Sequence, residues 1–141
     1  EMSAPEVCEN VLKAVENPEY GFVLVNFANP DMVGHTGVIE AAEKACHVVD
    51  ECVGKIADAC VKNGVTMLLT ADHGNSEVMV NPETGKPQTA HTTNKVPFVL
   101  INAPKDIQLK DDGALCNIGP TVLQLLGIKK PAEMDCDSLI K

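Results

Sequence analysis

Apolar residues recur at intervals of three and four in two stretches of the chain, a spacing that is typical of amphipathic helices. The first stretch predicts a helix from about Ala4 to Glu16, which Asn17 and Pro18 then break. The second has neither proline nor a turn cluster, and it predicts one long helix from Val38 to Asn63. His47 falls inside this second helix among apolar neighbours, so we interpret it as a helix-packing residue.

Three continuous apolar runs, each bounded by polar or turn-forming residues, indicate buried β-strands. They cover Phe22 to Phe27, Val65 to Leu69 and Val96 to Ile101. The first two flank the long helix and form a βαβ unit, whose crossover should be right-handed. A short helix from Ile118 to Leu126 follows the third run. The pattern therefore predicts an α/β fold in which helices cover both faces of a sheet.

Acidic and imidazole side chains follow the first two predicted strands, and one more histidine precedes the third. Asp31 and His35 come after the first strand, Asp72 and His73 come directly after the second, and His91 lies in the polar stretch before the third. Open α/β sheets bind ligands at the carboxyl ends of their strands. Any one of these side chains could be an ordinary surface residue or a helix cap, but five together favour a common site.

The chemistry of these five side chains indicates a divalent metal site. Carboxylate oxygen and neutral imidazole nitrogen suit manganese, zinc, cobalt or magnesium, and the three segments contain no cysteine. Asp31 and His35 are separated by four positions, with Gly34 between them. That spacing would let both contact one ion from a tight loop, although it could also arise by chance.

The position of His91 constrains the direction of the last strand. A strand parallel to the others would begin at the sheet edge opposite Asp31 and Asp72. The five positions from His91 to Val96 reach only about 17 Å at roughly 3.4 Å each, little more than the length of a strand. An antiparallel strand begins beside the metal ligands. We therefore predict that the third strand runs antiparallel to the other two, which gives a mixed, mainly parallel sheet.

Three longer segments carry a more specific signal. They read N-F-A-N-P-D-M-V-G-H-T-G over residues 26–37, T-A-D-H-G-N over residues 70–75 and T-A-H-T-T-N-K-V-P-F over residues 89–98. In this order they resemble the cofactor-independent phosphoglycerate mutases of the alkaline phosphatase superfamily, and the likeness runs over essentially the whole chain. D-x-x-G-H and A-D-H-G-N alone indicate only the superfamily, whereas the first segment is much more specific.

The resemblance implies a partial alkaline-phosphatase-like domain, with three α/β/α layers and a site for two divalent metal ions. Manganese is the expected ion, with zinc, cobalt or magnesium as alternatives. Asp31, His35 and His91 would hold one ion, while Asp72 and His73 would hold the other. The activity implied is interconversion of 3-phosphoglycerate and 2-phosphoglycerate in glycolysis and gluconeogenesis, through a phosphoserine intermediate.

The resemblance also implies that parts of the catalytic machinery lie outside this sequence. In the family, an aspartate and the nucleophilic serine come from the amino-terminal part of the protein, and arginines of an inserted second domain bind phosphoglycerate. Residues 1–141 would then be the C-terminal part of the phosphatase domain. Local roles are expected for Ser3, Ser76 and Ser138, and the chain has no arginine, the side chain that best grips phosphate and carboxylate.

Two alternatives remain open beside the phosphoglycerate mutase reading. The longer protein could be a phosphopentomutase or another phosphotransferase of the alkaline phosphatase superfamily. The chain by itself could be a non-catalytic metal-binding module, and this is the reading we favour for residues 1–141 alone.

Composition narrows the partners and the compartment. The net charge of -9 at pH 7 argues against nucleic acid and against acidic membrane surfaces as partners. There is no run of eighteen apolar residues, and Glu1-Met2-Ser3 lacks the features of a signal peptide, so a soluble cytoplasmic protein is expected. We also expect it to be a monomer. Six cysteines without a C-x-x-C motif, three of them in the long helix, predict reduced and mostly buried thiols.

Overall fold

The computed structural model describes residues 3–141, and they form two compact units. The first unit runs to Asn102, and the second runs from Ala103 to Lys141. The first unit contains three helices and two strands, namely α1 (Ala4–Glu16), α2 (Asn29–Gly34), α3 (Ile39–Asn63), β1 (Met67–Thr70) and β2 (Phe98–Ile101). The second unit contains a short 3₁₀ helix, Leu115–Asn117, followed by α4 (Ile118–Leu125).

Helices α1 and α3 pack against each other and form the core of the first unit, so both predicted helices are confirmed. Small side chains dominate the contact, which lets the two helices approach closely. The buried residues are Ala4, Cys8, Val11, Cys52, Ile56 and Cys60. Helix α3 ends where Gly64 adopts a positive φ of 70°, and its N–H bonds the carbonyls of Cys60 and Val61. Glycine adopts this left-handed conformation without a steric penalty.

Strands β1 and β2 form a two-stranded antiparallel sheet. Met67 lies opposite Ile101, and Thr70 lies opposite Phe98. The predicted antiparallel direction of the last strand relative to the strand before Asp72 is therefore confirmed. Because the two strands are antiparallel, the end of β1 and the start of β2 lie at the same end of the sheet. Asp72, which follows β1, and the segment that precedes β2 therefore lie at that end.

The predicted strand from Phe22 to Phe27 is not a strand in this structure. The segment has no regular secondary structure, and no other described strand pairs with it. Val25 and Phe27 pack against the α1–α3 core, whereas Phe22 and Leu24 are exposed. An apolar run signals a tendency to be buried, but a strand also needs a neighbour for its hydrogen bonds. The predicted mainly parallel sheet is accordingly not observed among the described residues.

His47 is exposed on the outer face of α3, so its interpretation as a helix-packing residue was wrong. Its side chain is 74% exposed, and its Nε2 lies 3.4 Å from Glu51 Oε1, one turn along the helix. The buried stripe of α3 includes Ala42 and Ala45. A residue two positions beyond Ala45 points about 200° away from it, because each residue turns an α-helix by roughly 100°.

The cysteines are all free, but only half of them are buried. Cys8, Cys52 and Cys60 lie in the core, whereas Cys46 and Cys116 are exposed and Cys136 is half-buried. The prediction of mostly buried thiols was therefore wrong for the last three. Burial raises the pKa of the Cys8 and Cys60 thiols, because the charged thiolate would lose its hydration.

The second unit is organised around Thr121, which is fully buried. Its hydroxyl donates to the Asn117 carbonyl at 2.7 Å and accepts the backbone N–H of Leu139 at 2.8 Å. These bonds hold the C-terminal tail against α4, which confirms the last predicted helix. In the described part of the chain, no helix is long and apolar enough to cross a membrane.

Candidate metal centre

Asp31 lies in the short helix α2, and His35 directly follows the last residue of that helix, in a stretch that sequence reasoning had expected to be a loop. Pro30 occupies the first turn, where its missing N–H costs no hydrogen bond. Residues four apart on a helix are neighbours on its surface. The Oδ1 atom of Asp31 accordingly lies 3.3 Å from the Nε2 atom of His35.

The loop after β1 is fastened to α2 by two side chains. Asn75 Nδ2 donates to Asp31 Oδ1 at 3.0 Å, and Ser76 Oγ donates to the Pro30 carbonyl at 2.7 Å. Gly34 makes this close approach possible, because a Cβ at that position would lie 2.0 Å from Asn75 Oδ1. The Ser76 hydroxyl thus has the local structural role that the sequence suggested.

His91 is carried by a segment that is held from the other side of the site. The Thr92 N–H donates to the Gly74 carbonyl at 2.9 Å, and the Thr92 hydroxyl donates to Glu77. Asn94 Nδ2 also donates to Glu77 Oε1, at 3.1 Å. The bond from Thr92 is the largest cause of a lowered pKa at Glu77, because it stabilises the ionised carboxylate.

Asp31, His35 and His91 bring three donor atoms together. The Nε2 atom of His91 lies 3.1 Å from Asp31 Oδ1 and 3.1 Å from His35 Nε2. Together with the 3.3 Å distance between Asp31 Oδ1 and His35 Nε2, these distances form a triangle. Ligands of a tetrahedral ion with bonds of about 2.0–2.1 Å are separated by roughly 3.3–3.4 Å. The triangle therefore has the size of one face of a metal coordination sphere.

The tautomer of His35 is fixed by its second nitrogen. His35 Nδ1 lies 2.6 Å from the Thr89 carbonyl oxygen. A carbonyl can only accept, so Nδ1 carries the proton, and in a neutral ring of this tautomer the lone pair is at Nε2, the corner of the triangle. Metal-binding histidines in proteins are usually oriented in this way by a backbone carbonyl or a carboxylate.

His73 and Asp72 lie beside this triangle but are held more loosely. The His73 ring stacks on that of His91, with centroids 3.7 Å apart and planes inclined by 19°. Its Nδ1 lies 4.0 Å from Asp31 Oδ1, and its Nε2 lies 3.8 Å from Asp72 Oδ1. Asp72 itself is 72% exposed. The structure thus brings all five predicted residues into one place, with three in close contact and two at its margin.

Sequence reasoning missed the residues that position the candidate ligands. Asn75 belongs to the A-D-H-G-N pattern and could have been recognised there. Thr89 contributes a backbone carbonyl, which leaves no trace in the side-chain pattern. Glu77 lies four residues beyond His73 in a turn-rich stretch, and no periodicity distinguishes it from a surface glutamate.

Residues 1–130 match the family described as the Metalloenzyme superfamily. The chain belongs to this metalloenzyme superfamily. Among curated relatives, the chain is 52% identical over 141 residues to the 2,3-bisphosphoglycerate-independent phosphoglycerate mutase of Clostridium kluyveri, with 100% of this chain and 28% of the relative aligned. It is 49% identical over 148 residues to the same enzyme of Gloeobacter violaceus, with 99% of this chain and 27% of the relative aligned.

A solved phosphoglycerate mutase has the same fold over nearly the whole chain. Leishmania mexicana phosphoglycerate mutase at low cobalt concentration superposes with a TM-score of 0.89 and 31% identity, over 99% of this chain and 28% of that protein. These likenesses confirm the resemblance to cofactor-independent phosphoglycerate mutases. The chain spans 28% of the length of the Clostridium relative.

Proposed function

We propose that Asp31, His35 and His91 hold one divalent metal ion. The observation that carries the proposal is the triangle of one carboxylate oxygen and two imidazole nitrogens, with the His35 lone pair aimed into it by the Thr89 carbonyl. Two imidazole nitrogens lie about 3 Å from one carboxylate oxygen and from each other. Without an ion, these three atoms could form hydrogen bonds only if at least one of the two nitrogens carried a proton. The donor set suits manganese, zinc, cobalt or magnesium, and manganese is the ion that we propose among them.

Asp72 and His73 are proposed as ligands of a second divalent ion. The Asp72 Oδ1 and His73 Nε2 atoms are 3.8 Å apart, and the Asp72 side chain is largely exposed. Two ligands leave a metal ion weakly bound, so this site would need further ligands from elsewhere in a longer protein. We infer that the second ion binds the present chain more weakly than the first.

The longer protein of which this chain would form the C-terminal part is proposed to be a phosphoglycerate mutase. The relatives that carry this name match the chain from end to end, but they are more than three times longer. The proposed reaction interconverts 3-phosphoglycerate and 2-phosphoglycerate, which would place the enzyme in glycolysis and gluconeogenesis. A cytoplasmic location is proposed because glycolytic enzymes are typically soluble.

The residues of this chain would position the metals and leave nucleophilic attack to another segment. Divalent ions bound here would supply the means to activate a serine hydroxyl and to neutralise phosphoryl oxygens. Asn75 holds Asp31 in place, and Glu77 holds the segment that carries His91. The Ser76 hydroxyl is already bound to the Pro30 carbonyl, and Ser138 Oγ accepts the N–H of Ile140 at 3.0 Å. Neither serine is arranged as a nucleophile.

The apolar segment from Phe22 to Phe27, which is exposed in its first half, is proposed to pair as a strand in the longer protein. Leu24 is 83% exposed and Phe22 is 55% exposed, although both are large apolar side chains. Neighbouring strands and helices would cover them and complete a mixed sheet between two helical layers, the three-layer α/β/α arrangement expected from the sequence.

The experiment that tests the proposed function is a metal-dependence assay of the longer protein with 3-phosphoglycerate and, in parallel, with a pentose phosphate. We expect formation of 2-phosphoglycerate, loss of this activity with a chelator and recovery with manganese or cobalt. Turnover of the pentose phosphate instead would favour a phosphopentomutase. Activity that survives complete metal removal would overturn the proposal.

A further inference from the structure

Two pairs of neighbouring cysteines lie outside the candidate metal centre, and they differ in their access to solvent. Cys8 and Cys52 form the buried thiol pair, which joins α1 to α3. Cys116 and Cys136 form the exposed thiol pair, which lies in the second unit. Neither pair plays a part in the proposed reaction.

The exposed thiol pair joins the 3₁₀ helix to the C-terminal tail. Cys116 is exposed and Cys136 is half-buried. A side-chain interaction with Cys116 is the largest cause of a raised pKa at Cys136. Cys136 therefore keeps its proton at a higher pH than an ordinary thiol, so Cys116, which solvent reaches freely, is the better placed of the two to meet an oxidant.

The backbone on both sides of the exposed thiol pair is fixed by other hydrogen bonds. Asn117 Nδ2, next to Cys116, donates to the carbonyl of Asp137, next to Cys136, at 2.8 Å. Lys130 Nζ donates to the Cys136 carbonyl at 2.9 Å and to Asp137 Oδ1 at 3.2 Å. These contacts, which do not involve sulfur, hold the segment of Cys116 against the segment of Cys136.

Cys8 and Cys52 also lie on segments in contact with each other, but solvent does not reach their thiols. Cys8 Sγ donates to the Cys52 carbonyl and Cys52 Sγ donates to the Ala4 carbonyl, each at 3.7 Å. Both residues are less than 5% exposed. Burial raises the pKa of Cys8, so the nucleophilic thiolate is disfavoured there. This pair is an internal control, because its two cysteines also lie on segments in contact but are buried.

We propose that Cys116 and Cys136 form an oxidation site, at which a peroxide converts two free thiols into an intrachain disulfide. The Cys116 thiolate attacks one peroxide oxygen, the O–O bond breaks, and Cys116 becomes a sulfenic acid while hydroxide leaves and is protonated to water. The Cys136 sulfur then attacks the sulfenic sulfur, the S–O bond breaks, and a second water leaves. In total, two thiols and one hydrogen peroxide give one disulfide and two waters.

Peptide mapping of the full chain tests this proposal directly. The reduced protein is treated with about one equivalent of hydrogen peroxide, its remaining thiols are alkylated after denaturation, and trypsin is added. Cleavage after Lys110 and Lys129 places the two cysteines on separate peptides, residues 111–129 and 130–141. We expect these two peptides to be joined by a disulfide, while Cys8 and Cys52 are recovered alkylated.

Single variants test the order of the two steps and separate proximity from simple exposure. Cys136→Ser should trap Cys116 as a sulfenic acid that reacts with dimedone, and Cys116→Ser should leave Cys136 largely alkylatable. Cys46, which is exposed on α3, should give no intrachain link. Circular dichroism checks that each variant is folded. The proposal would be overturned if Cys8 and Cys52 were linked first, or if Cys116 advanced to sulfinic acid while Cys136 stayed reduced.

Discussion

The Nε2 atoms of His35 and His91 lie 3.1 Å apart, although 56 positions separate the two residues in the chain. Each ring comes from a different segment, one from the end of α2 and the other from the stretch before β2. Both nitrogens also face the same carboxylate oxygen of Asp31. The convergence depends on tertiary structure and is the reason to assign the first metal ion to these three residues.

Replacement of His91 by alanine should abolish the tighter of two manganese-binding events. The variant removes one of three proposed ligands, and we expect the affinity to fall by more than about 100-fold, since even the loss of a residue that only supports a ligand costs about 10–100-fold. Isothermal titration measures the effect. His47→Ala is the matched control, because it removes an exposed imidazole far from the site in sequence. Equal losses in both variants, or none in either, would contradict the assignment.

Gly34→Ala should destabilise the protein by about 1–3 kcal/mol, the usual cost of forcing an extra methyl group into a packed place. The new Cβ would lie 2.0 Å from Asn75 Oδ1 and 2.8 Å from Ser76 Oγ. It would therefore push the loop after β1 away from α2 and weaken the bond that orients Asp31. Urea denaturation followed by circular dichroism gives the free energy of unfolding.

Gly54→Ala is the control for that substitution. Gly54 lies within α3, where an added Cβ has no neighbour within 4 Å. Alanine should stabilise the helix there by roughly 0.5–1 kcal/mol, because glycine is a poor helix former. If both substitutions changed the free energy of unfolding equally, the close contact at Gly34 would have no energetic importance.

The candidate site and the two main helices could be predicted from the sequence because their signals are local. Apolar spacing gave α1 with its observed ends, and it gave α3 to within one residue of its observed start. The five proposed ligands were recognised because each lies next to an apolar run or in a specific motif. Whether the run from Phe22 to Phe27 pairs as a strand depends on a neighbour, which local patterns do not reveal.

Helix α2 shows the same limit from the opposite side. It is only six residues long, too short to be stable by its own helix propensity. Its sequence is rich in turn-forming residues, and this pattern predicts a loop. The contacts of Pro30 and Asp31 with Ser76 and Asn75 stabilise it, and these partners lie 46 and 44 positions away. Sequence spacing therefore placed Asp31 and His35 correctly together but assigned them to the wrong kind of backbone.

Glu77→Gln should reduce the dependence of stability on acidic pH. The pKa of Glu77 is lowered from its ordinary value of 4.5, chiefly by the hydrogen bond from Thr92. The ionised carboxylate therefore stabilises the folded state fully above pH 4.5, and this contribution is lost as the pH falls through the lowered pKa. Unfolding free energies measured from neutral to acidic pH should show a shallower decline in the variant.

Glu83→Gln provides the comparison, since it makes the same chemical change in the exposed turn between Asn81 and Lys86. It should leave the decline with acidic pH as steep as in the parent sequence. A Glu77 variant that followed the parent curve at every pH would show that the contact with Thr92 has no influence on the folded state.

The 141-residue chain alone should show no mutase activity at any manganese concentration. It has no arginine to grip phosphoglycerate, and the Ser76 hydroxyl is engaged with the Pro30 carbonyl. A coupled enzyme assay with 3-phosphoglycerate and purified chain checks this expectation. Saturable turnover would refute it, whereas slow metal-dependent release of phosphate would not, because a metal-bound hydroxide can attack without a serine.

Anomalous X-ray diffraction from crystals of the chain grown with manganese tests the central claim most directly. We predict a strong anomalous peak within about 2.3 Å of Asp31 Oδ1, His35 Nε2 and His91 Nε2, the range of metal–ligand bonds for oxygen and nitrogen. A second, weaker peak is expected beside Asp72 and His73. Manganese bound only at other residues, or no peak between the three donor atoms at saturating metal, would contradict the account.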